Sequence, residues 1–317
     1  MLASILNNVM SVSQLEMLGT FAGFLVTFLL LAKKFSFLPH DQGREFAING
    51  ELSRGKLRGV GLIIVCGFIV VSLILGKLSL ENLIFTVLLF LIMLSGYLDD
   101  ASKNPWSDYK KGAIDLAISI AYMVTFVIYN PTDVQIFSLT ITLPKVVYVI
   151  LGIILIWVSI NVVNCSDGID GLCATLTIMS VGSYIVFFGD NLMEYRGFSM
   201  ILLGCIFAYL YFNTLPSSML MGDAGSRAFG FFLAVIAMKS GHPFSFLVFA
   251  LVMIIDGGLG LCKVFLLRFL KIHILTNTRT PIHDHMRKNI GWKDQHVVTR
   301  FALFQVIASC ALGIFLK

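Results

Sequence analysis

Asn161 to Leu172 reads N-V-V-N-C-S-D-G-I-D-G-L, a knot of amides, carboxylates and glycines directly behind a long apolar run. Asp167 and Asp170 stand three residues apart, so a helix opening over Gly168 to Leu172 places both carboxylates on one face of its first turn. Free backbone N–H groups and the positive end of the helix dipole meet them there. Such a site suits the polar edge of a ligand, or a cation bridging to phosphate. Helix capping accounts for one of these Asp residues, but poorly for both together with Asn161 and Asn164.

Further polar groups interrupt the apolar sequence. Gly96-Tyr97-Leu98-Asp99-Asp100 closes a second apolar run. Adjacent Asp residues at a helix C-terminus face a negative dipole and each other, so a cation or a proton has to offset them unless they simply begin a solvated loop. Met221-Gly222-Asp223-Ala224-Gly225-Ser226 follows Asn213 by about ten residues. Glycine on each side of Asp223 allows a sharp turn and close approach of a ligand. Mg²⁺ prefers one or two carboxylates together with substrate phosphates and water, which makes Asp223, with Asp99 and Asp100, the expected magnesium site. Thr280-Pro281-Ile282-His283-Asp284-His285 is followed by Arg287 and Lys288. No Cys or third His stands close enough for zinc, so His283 and His285 are expected to contact phosphate or stabilise transition-state charge. Lys103, Lys110 and Lys111 either grip a lipid phosphate or reflect the bias of cytoplasmic loops towards positive charge. Asp256 lies inside an apolar run and is expected to face the bundle interior and orient a neighbouring helix by hydrogen bonding.

The elements that must position these groups are transmembrane helices. The chain is 57% hydrophobic and 13% charged over 317 residues, with a mean hydropathy of +0.89, outside the range of soluble domains. Runs long enough to cross a bilayer fall at about 17–36, 59–76, 79–97, 112–130, 146–163, 169–188, 197–212, 226–240, 244–270 and 298–316. Unbroken apolar runs exclude a β-barrel, so the expected fold is an all-α polytopic bundle of about ten spans. With no internal repeat or linker, residues 1–317 are expected to form a single domain. Eighteen of the 23 Lys and Arg residues fall in alternate connections, which puts both termini outside and the loops Lys33 to Arg58 and Lys263 to Arg300 in the cytoplasm. Met1 to Gln14 lacks a basic leader region, so the first span is expected to be a retained anchor. The six Cys residues form no C-x-x-C pair and read as buried apolar groups. Residues 131–143 partly alternate and are expected to form a short hairpin.

Taken together and in order, G-Y-L-D-D, N-V-V-N-C-S-D-G-I-D-G-L, F-N-T-L-P before M-G-D-A-G-S, and T-P-I-H-D-H with a trailing G-W resemble the polyprenyl-phosphate N-acetylhexosamine-1-phosphate transferases. The resemblance runs from about Arg44 to Phe301 and is strongest to the branch that handles phospho-N-acetylmuramoyl-pentapeptide. It implies that Asp223 binds magnesium and that Asp99 and Asp100 are the essential pair beside it. Asn213, Gly168 and Asp170 match positions that hold the uridine end of the donor, with Asn164 and Asp167 lining the same cleft. His283 and His285 match the outer members of a three-histidine motif, and Lys111 a basic residue near the carrier phosphate. Asp284 replaces the middle histidine, Arg287 stands where Glu is usual, and Leu220 stands where Phe often stacks on uracil.

The resemblance implies Mg²⁺-dependent transfer of phospho-N-acetylmuramoyl-pentapeptide from its UDP conjugate to undecaprenyl phosphate, on the cytoplasmic face of a bacterial inner membrane. It also implies a homodimer, and no nucleic-acid partner. The stretch Lys56-Leu57-Arg58-Gly59-Val60-Gly61 partly matches the T-P-R-x-G-G of the sister branch, whose members transfer N-acetylglucosamine-1-phosphate. A transporter would hold its acidic residues near the bilayer midplane, whereas all but Asp256 sit at the expected cytoplasmic ends.

Overall fold

The computed structural model describes residues 10–43 and 53–316; Arg44, at the start of the family resemblance, lies outside them. All ten apolar runs are helical, and we label the elements α1 (Val12–Ala32), α2 (Gly61–Leu75), α3 (Leu80–Asp100), α4 (Asp108–Tyr129), α5 (Lys145–Cys165), α6 (Leu172–Phe188), α7 (Glu194–Asn213) and α8 (Gly222–Lys239). A bent pair, α9 (Pro243–Phe249) and α10 (Leu251–Leu270), precedes α11 (Ile282–Lys288) and α12 (Asp294–Leu316). By length and composition α1, α3, α4, α5, α7 and α12 are each able to cross a membrane, and α9 with α10 forms a further, broken span. The hairpin expected over 131–143 is present as β1 (Asp133–Ile136) paired antiparallel with β2 (Leu139–Thr142).

Position in the bundle follows from side-chain size. In lipid, apolar burial does not drive helices together, so close packing depends on small residues that let backbones approach. The central α8 is buried from Gly222 to Met238. A Cβ on Gly61 of α2 would lie 2.1 Å from Gly225 N, one on Gly96 of α3 2.4 Å from Asp223 O, and one on Gly230 2.6 Å from Ile160 Cα of α5. These glycines bring α2, α3 and α5 against α8, and so bring the ends of α3 and α8 together. Towards the opposite end, Phe85 of α3 stacks on Phe231 of α8 at 5.9 Å between ring centroids, with Tyr122, Tyr195 and Phe198 around it. Outward faces are apolar: Met17, Phe21, Leu25 and Leu29 form an exposed stripe along α1, as expected of a helix surrounded by lipid.

The ninth run differs from the single long span expected. It bends by 72° between Phe249 and Leu251 and carries π-helical turns at Ile254–Gly258 and Leu266–Leu270. Gln305 of α12 occupies the break, accepting from Val252 N and donating to Val248 O, so backbone groups freed by the bend are satisfied inside the protein.

Candidate active site

The adjacent carboxylates at the end of α3 meet the start of α8, and their repulsion is met by cations. Lys111 Nζ of α4 lies 3.0 Å from Asp99 Oδ2 and 3.3 Å from Asp223 Oδ2. Arg58 Nε donates to Asp100 Oδ1 at 2.8 Å, its Nη1 to Asp41 Oδ1 at 3.0 Å, and its Nη2 lies 4.0 Å from Asp223 Oδ1. Burial works against the Arg58 charge, but Asp100, Asp223 and Asp41 outweigh it and raise the guanidinium pKa above its usual value. Two framework contacts fix the carboxylates: Ala224 N donates to Asp100 Oδ2 at 3.1 Å, and Trp106 N to Asp99 Oδ1 at 2.6 Å. Gly222 has a φ of +67°, and a Cβ there would sit 2.2 Å from Asp100 Oδ2. Only glycine lets Asp223 and Asp100 share this corner.

Among the described residues, no group of three His, Cys, Asp or Glu side chains is arranged to hold a metal unaided. A hard, oxygen-only donor set is nevertheless what Mg²⁺ takes when phosphates complete its shell, so Asp223, with Asp99 and Asp100 nearby, fits that ion.

Arg58 reaches this corner because its segment is pinned to the entry of α8. Leu57 bridges to both His40 and Met219, and Val60 N and Gly61 N donate to Leu220 O and Met221 O. The same segment carries Lys56, whose Nζ lies 3.0 Å from Asp170 Oδ2 and 2.9 Å from Ser217 Oγ.

The turn behind α5 corrects the sequence expectation. Residues 166–171 form turns, and α6 begins only at Leu172. Gly171 has a φ of +83° and donates its N–H to Asn213 Oδ1 at 2.8 Å. This left-handed residue delays the helix, so Asp167 and Asp170 lie on the loop before it, not on its first turn. Asn213 also donates to Met219 O at 2.8 Å, tying the end of α7 to the turn and to the entry of α8. Asn164, on the last turn of α5, donates to Ser226 Oγ at 2.9 Å and so stands beside the Asp223 turn.

His283 packs against this turn at Gly168. Asp256, fully buried in the first π-helical turn of α10, accepts from His283 N at 2.7 Å and lies 2.8 Å from His283 Nδ1 through Oδ2. The expectation that Asp256 orients a neighbouring helix is met: it fixes α11 and aims the imidazole. The opposite nitrogen, Nε2, faces Gly168, where a Cβ would stand 2.2 Å away. Gly168→Ala is therefore expected to displace His283 and lower kcat by about 10- to 100-fold, with little change in the unfolding midpoint because Gly168 itself is exposed. An unchanged kcat would show that His283 does not act from this position. His285 plays a local part, accepting from Arg279 N at 3.3 Å. Arg287, which stands where the family has Glu, pairs with Asp294 at 2.6 Å and with Asp284 at 3.6 Å. The two departures, Asp284 and Arg287, thus lie within ion-pair distance of each other, while Arg287 bonds more closely to Asp294.

The structure therefore joins Asp99, Asp100, Asp223 and Lys111 in one corner, and packs Gly168 directly against His283. It sets Asn164, Asp170 and Asn213 around the same turn, while His285 serves its own loop. Missing from the sequence reading are Arg58, Asp41 and Lys56 as partners of the carboxylates, and the pairing of Asp256 with His283. The Lys56 to Gly61 stretch was the only signal for the first group.

Fold and site together define a polytopic membrane protein that gathers carboxylates and their countercharges at one mouth of a glycine-packed bundle, an arrangement suited to phosphate-bearing substrates. The profile of the family described as Glycosyl transferase family 4 matches residues 82–241. A protein of Treponema pallidum named phospho-N-acetylmuramoyl-pentapeptide-transferase is 34% identical over 95% of this chain and 89% of its own length. Proteins of the same name from Thermotoga neapolitana and Oceanobacillus iheyensis are 30% and 28% identical, over 78% and 93% of this chain and 82% and 95% of theirs. The chain belongs to glycosyl transferase family 4 and is a membrane-embedded phosphosugar transferase.

Proposed function

We propose that the chain transfers phospho-N-acetylmuramoyl-pentapeptide from its UDP conjugate to undecaprenyl phosphate, releasing UMP and forming the lipid-linked sugar diphosphate of peptidoglycan synthesis. The observation that carries this reading is the corner of Asp99, Asp100 and Asp223 interleaved with Lys111 and Arg58. It offers both a metal site and fixed positive charge to phosphates arriving from the membrane and from solution. The names of the relatives support the choice of donor. The distribution of basic residues supports a mouth on the cytoplasmic face with both termini outside, and the names of the relatives support the bacterial inner membrane as its location.

An oxygen of the lipid phosphate attacks the sugar-bearing phosphorus. The bond from that phosphorus to the bridging oxygen breaks, and UMP departs with the bridging oxygen and its electron pair. A phosphate monoester with a second pKa near about 6 is mostly dianionic at neutral pH, so direct attack needs no general base. Lys111 holds the carrier phosphate and Asp99 orients it. Asp223, with Asp99 and Asp100 beside it, would hold Mg²⁺, which would supply charge neutralisation for the pyrophosphate. His283, aimed by Asp256, stabilises developing charge from its place beside Gly168. Gly168, Asp170 and Asn213 take the uridine end, with Asn164 and Asp167 around it.

A lipid product with the mass of undecaprenyl diphosphate bearing the muramoyl-pentapeptide tests the reaction, and its absence would exclude it. Direct attack is tested without the lipid: labelled UMP is expected not to exchange into the UDP-sugar. Exchange would instead require a covalent enzyme intermediate. Arg58 sits in the corner on the stretch shared with the N-acetylglucosamine-1-phosphate branch, which makes that sugar the second donor to test.

A further inference from the structure

Two charges beneath the mouth are unused by this chemistry. Asp115 follows Lys111 by four residues on α4, and Arg227 follows Asp223 by four on α8. They are 1% and 2% exposed and form an ion pair through Arg227 Nη2 and Asp115 Oδ1. Both helices start at the mouth, so the four groups form two layers one turn apart. In the upper layer α4 carries the cation and α8 the anion, 3.3 Å apart. In the lower layer the signs are reversed.

This reversal has a physical consequence. Opposite charges four residues apart on one helix attract, so Asp115 competes with Asp99 and Asp223 for the Lys111 ammonium. Arg227 occupies Asp115 and removes that competition. Its Nη1 has no hydrogen-bond partner among the described residues, and its charge acts on Asp223 one turn above. Lys111 likewise acts on Asp115, so the layers are electrostatically linked. A plain structural staple would be indifferent to which helix carries which sign.

We infer that Arg227 is a positioning residue: by pairing with Asp115 it leaves Lys111 in the mouth between Asp99 and Asp223, and reversing the signs of the pair undoes this. The inference rests on the proposed function for its effect on turnover, but not for its effect on Lys111 itself. The deciding variant is the exchange Asp115→Arg with Arg227→Asp in the full chain, compared with the neutral double variant Asp115→Asn with Arg227→Met. Three quantities are read in detergent: UMP release from UDP-N-acetylmuramoyl-pentapeptide, the thermal unfolding midpoint, and the acylation rate of Lys111 by an amine reagent, followed by mass spectrometry.

The exchanged pair remains an ion pair but stacks like charges along both helices. It is expected to keep its midpoint, lose about 100-fold in kcat with little change in KM, and acylate Lys111 several-fold faster. The neutral pair is expected to stay within about threefold of the wild type in kcat. Wild-type turnover and acylation in the exchanged protein, or equal losses in both double variants, would reduce the pair to a staple and overturn the inference. Should the exchanged chain unfold, Arg227→Gln decides: slower Lys111 acylation, restored by adding Asp115→Asn, supports the inference, and an unchanged rate overturns it. A wild-type protein that releases no UMP would overturn the proposed donor and leave the acylation comparison to decide this point.

Discussion

Asp223→Asn is expected to lower kcat by about 1000-fold or more while leaving the unfolding midpoint nearly unchanged. The carboxamide fills the same volume in the first turn of α8 but removes the charge that faces Lys111 at 3.3 Å and Arg58 at 4.0 Å. Phosphates then meet a corner with less anionic character and no carboxylate from α8 to share a metal. Raising magnesium is not expected to restore the rate. Asp99→Asn is also expected to lose most turnover, but Asp99 accepts from Trp106 N as well, so that substitution disturbs the following loop and reports less cleanly. An Asp223→Asn protein within about tenfold of the wild-type rate would remove Asp223 from the reacting centre.

Asp256→Asn is expected to cost about 100-fold in kcat, the upper end of what loss of an orienting partner costs. One oxygen remains to accept from His283 N, but an amide now stands against Nδ1 where both carboxylate oxygens lie within 3.0 Å. The imidazole must change tautomer or turn away from Gly168. Because Asp256 acts through His283, adding His283→Asn to Asp256→Asn is expected to cause little further loss. Additive losses in the two variants would mean that Asp256 supports α10 independently of the histidine.

The helices and the chemistry-bearing residues were legible because both leave local marks. Spans announce themselves as apolar runs, and Asp99, Asp100 and Asp223 stand out because carboxylates and glycines have no reason to interrupt such runs. Details set by distant contacts were not legible. The start of α6 is decided by the conformation of Gly171 and by Asn213, which lies 42 residues away. The 72° bend after Phe249 is supported by Gln305 on another helix. Arg58 and Lys56 resembled ordinary cytoplasmic basic residues; only the backbone pairing of Leu57 with Met219 turns them towards the acidic groups. Asp256 was visible as an expensive intramembrane carboxylate, but its partner arrives from α11, beyond the end of its own helix.

The most direct measurement is UMP release by the purified protein in detergent with undecaprenyl phosphate and Mg²⁺, offered UDP-N-acetylmuramoyl-pentapeptide and UDP-N-acetylglucosamine in separate reactions. Release with the muramoyl-pentapeptide donor alone is the expected result. Release with the N-acetylglucosamine donor alone would contradict the proposed substrate and assign the chain to the sister branch, and release with neither would contradict the proposed transfer.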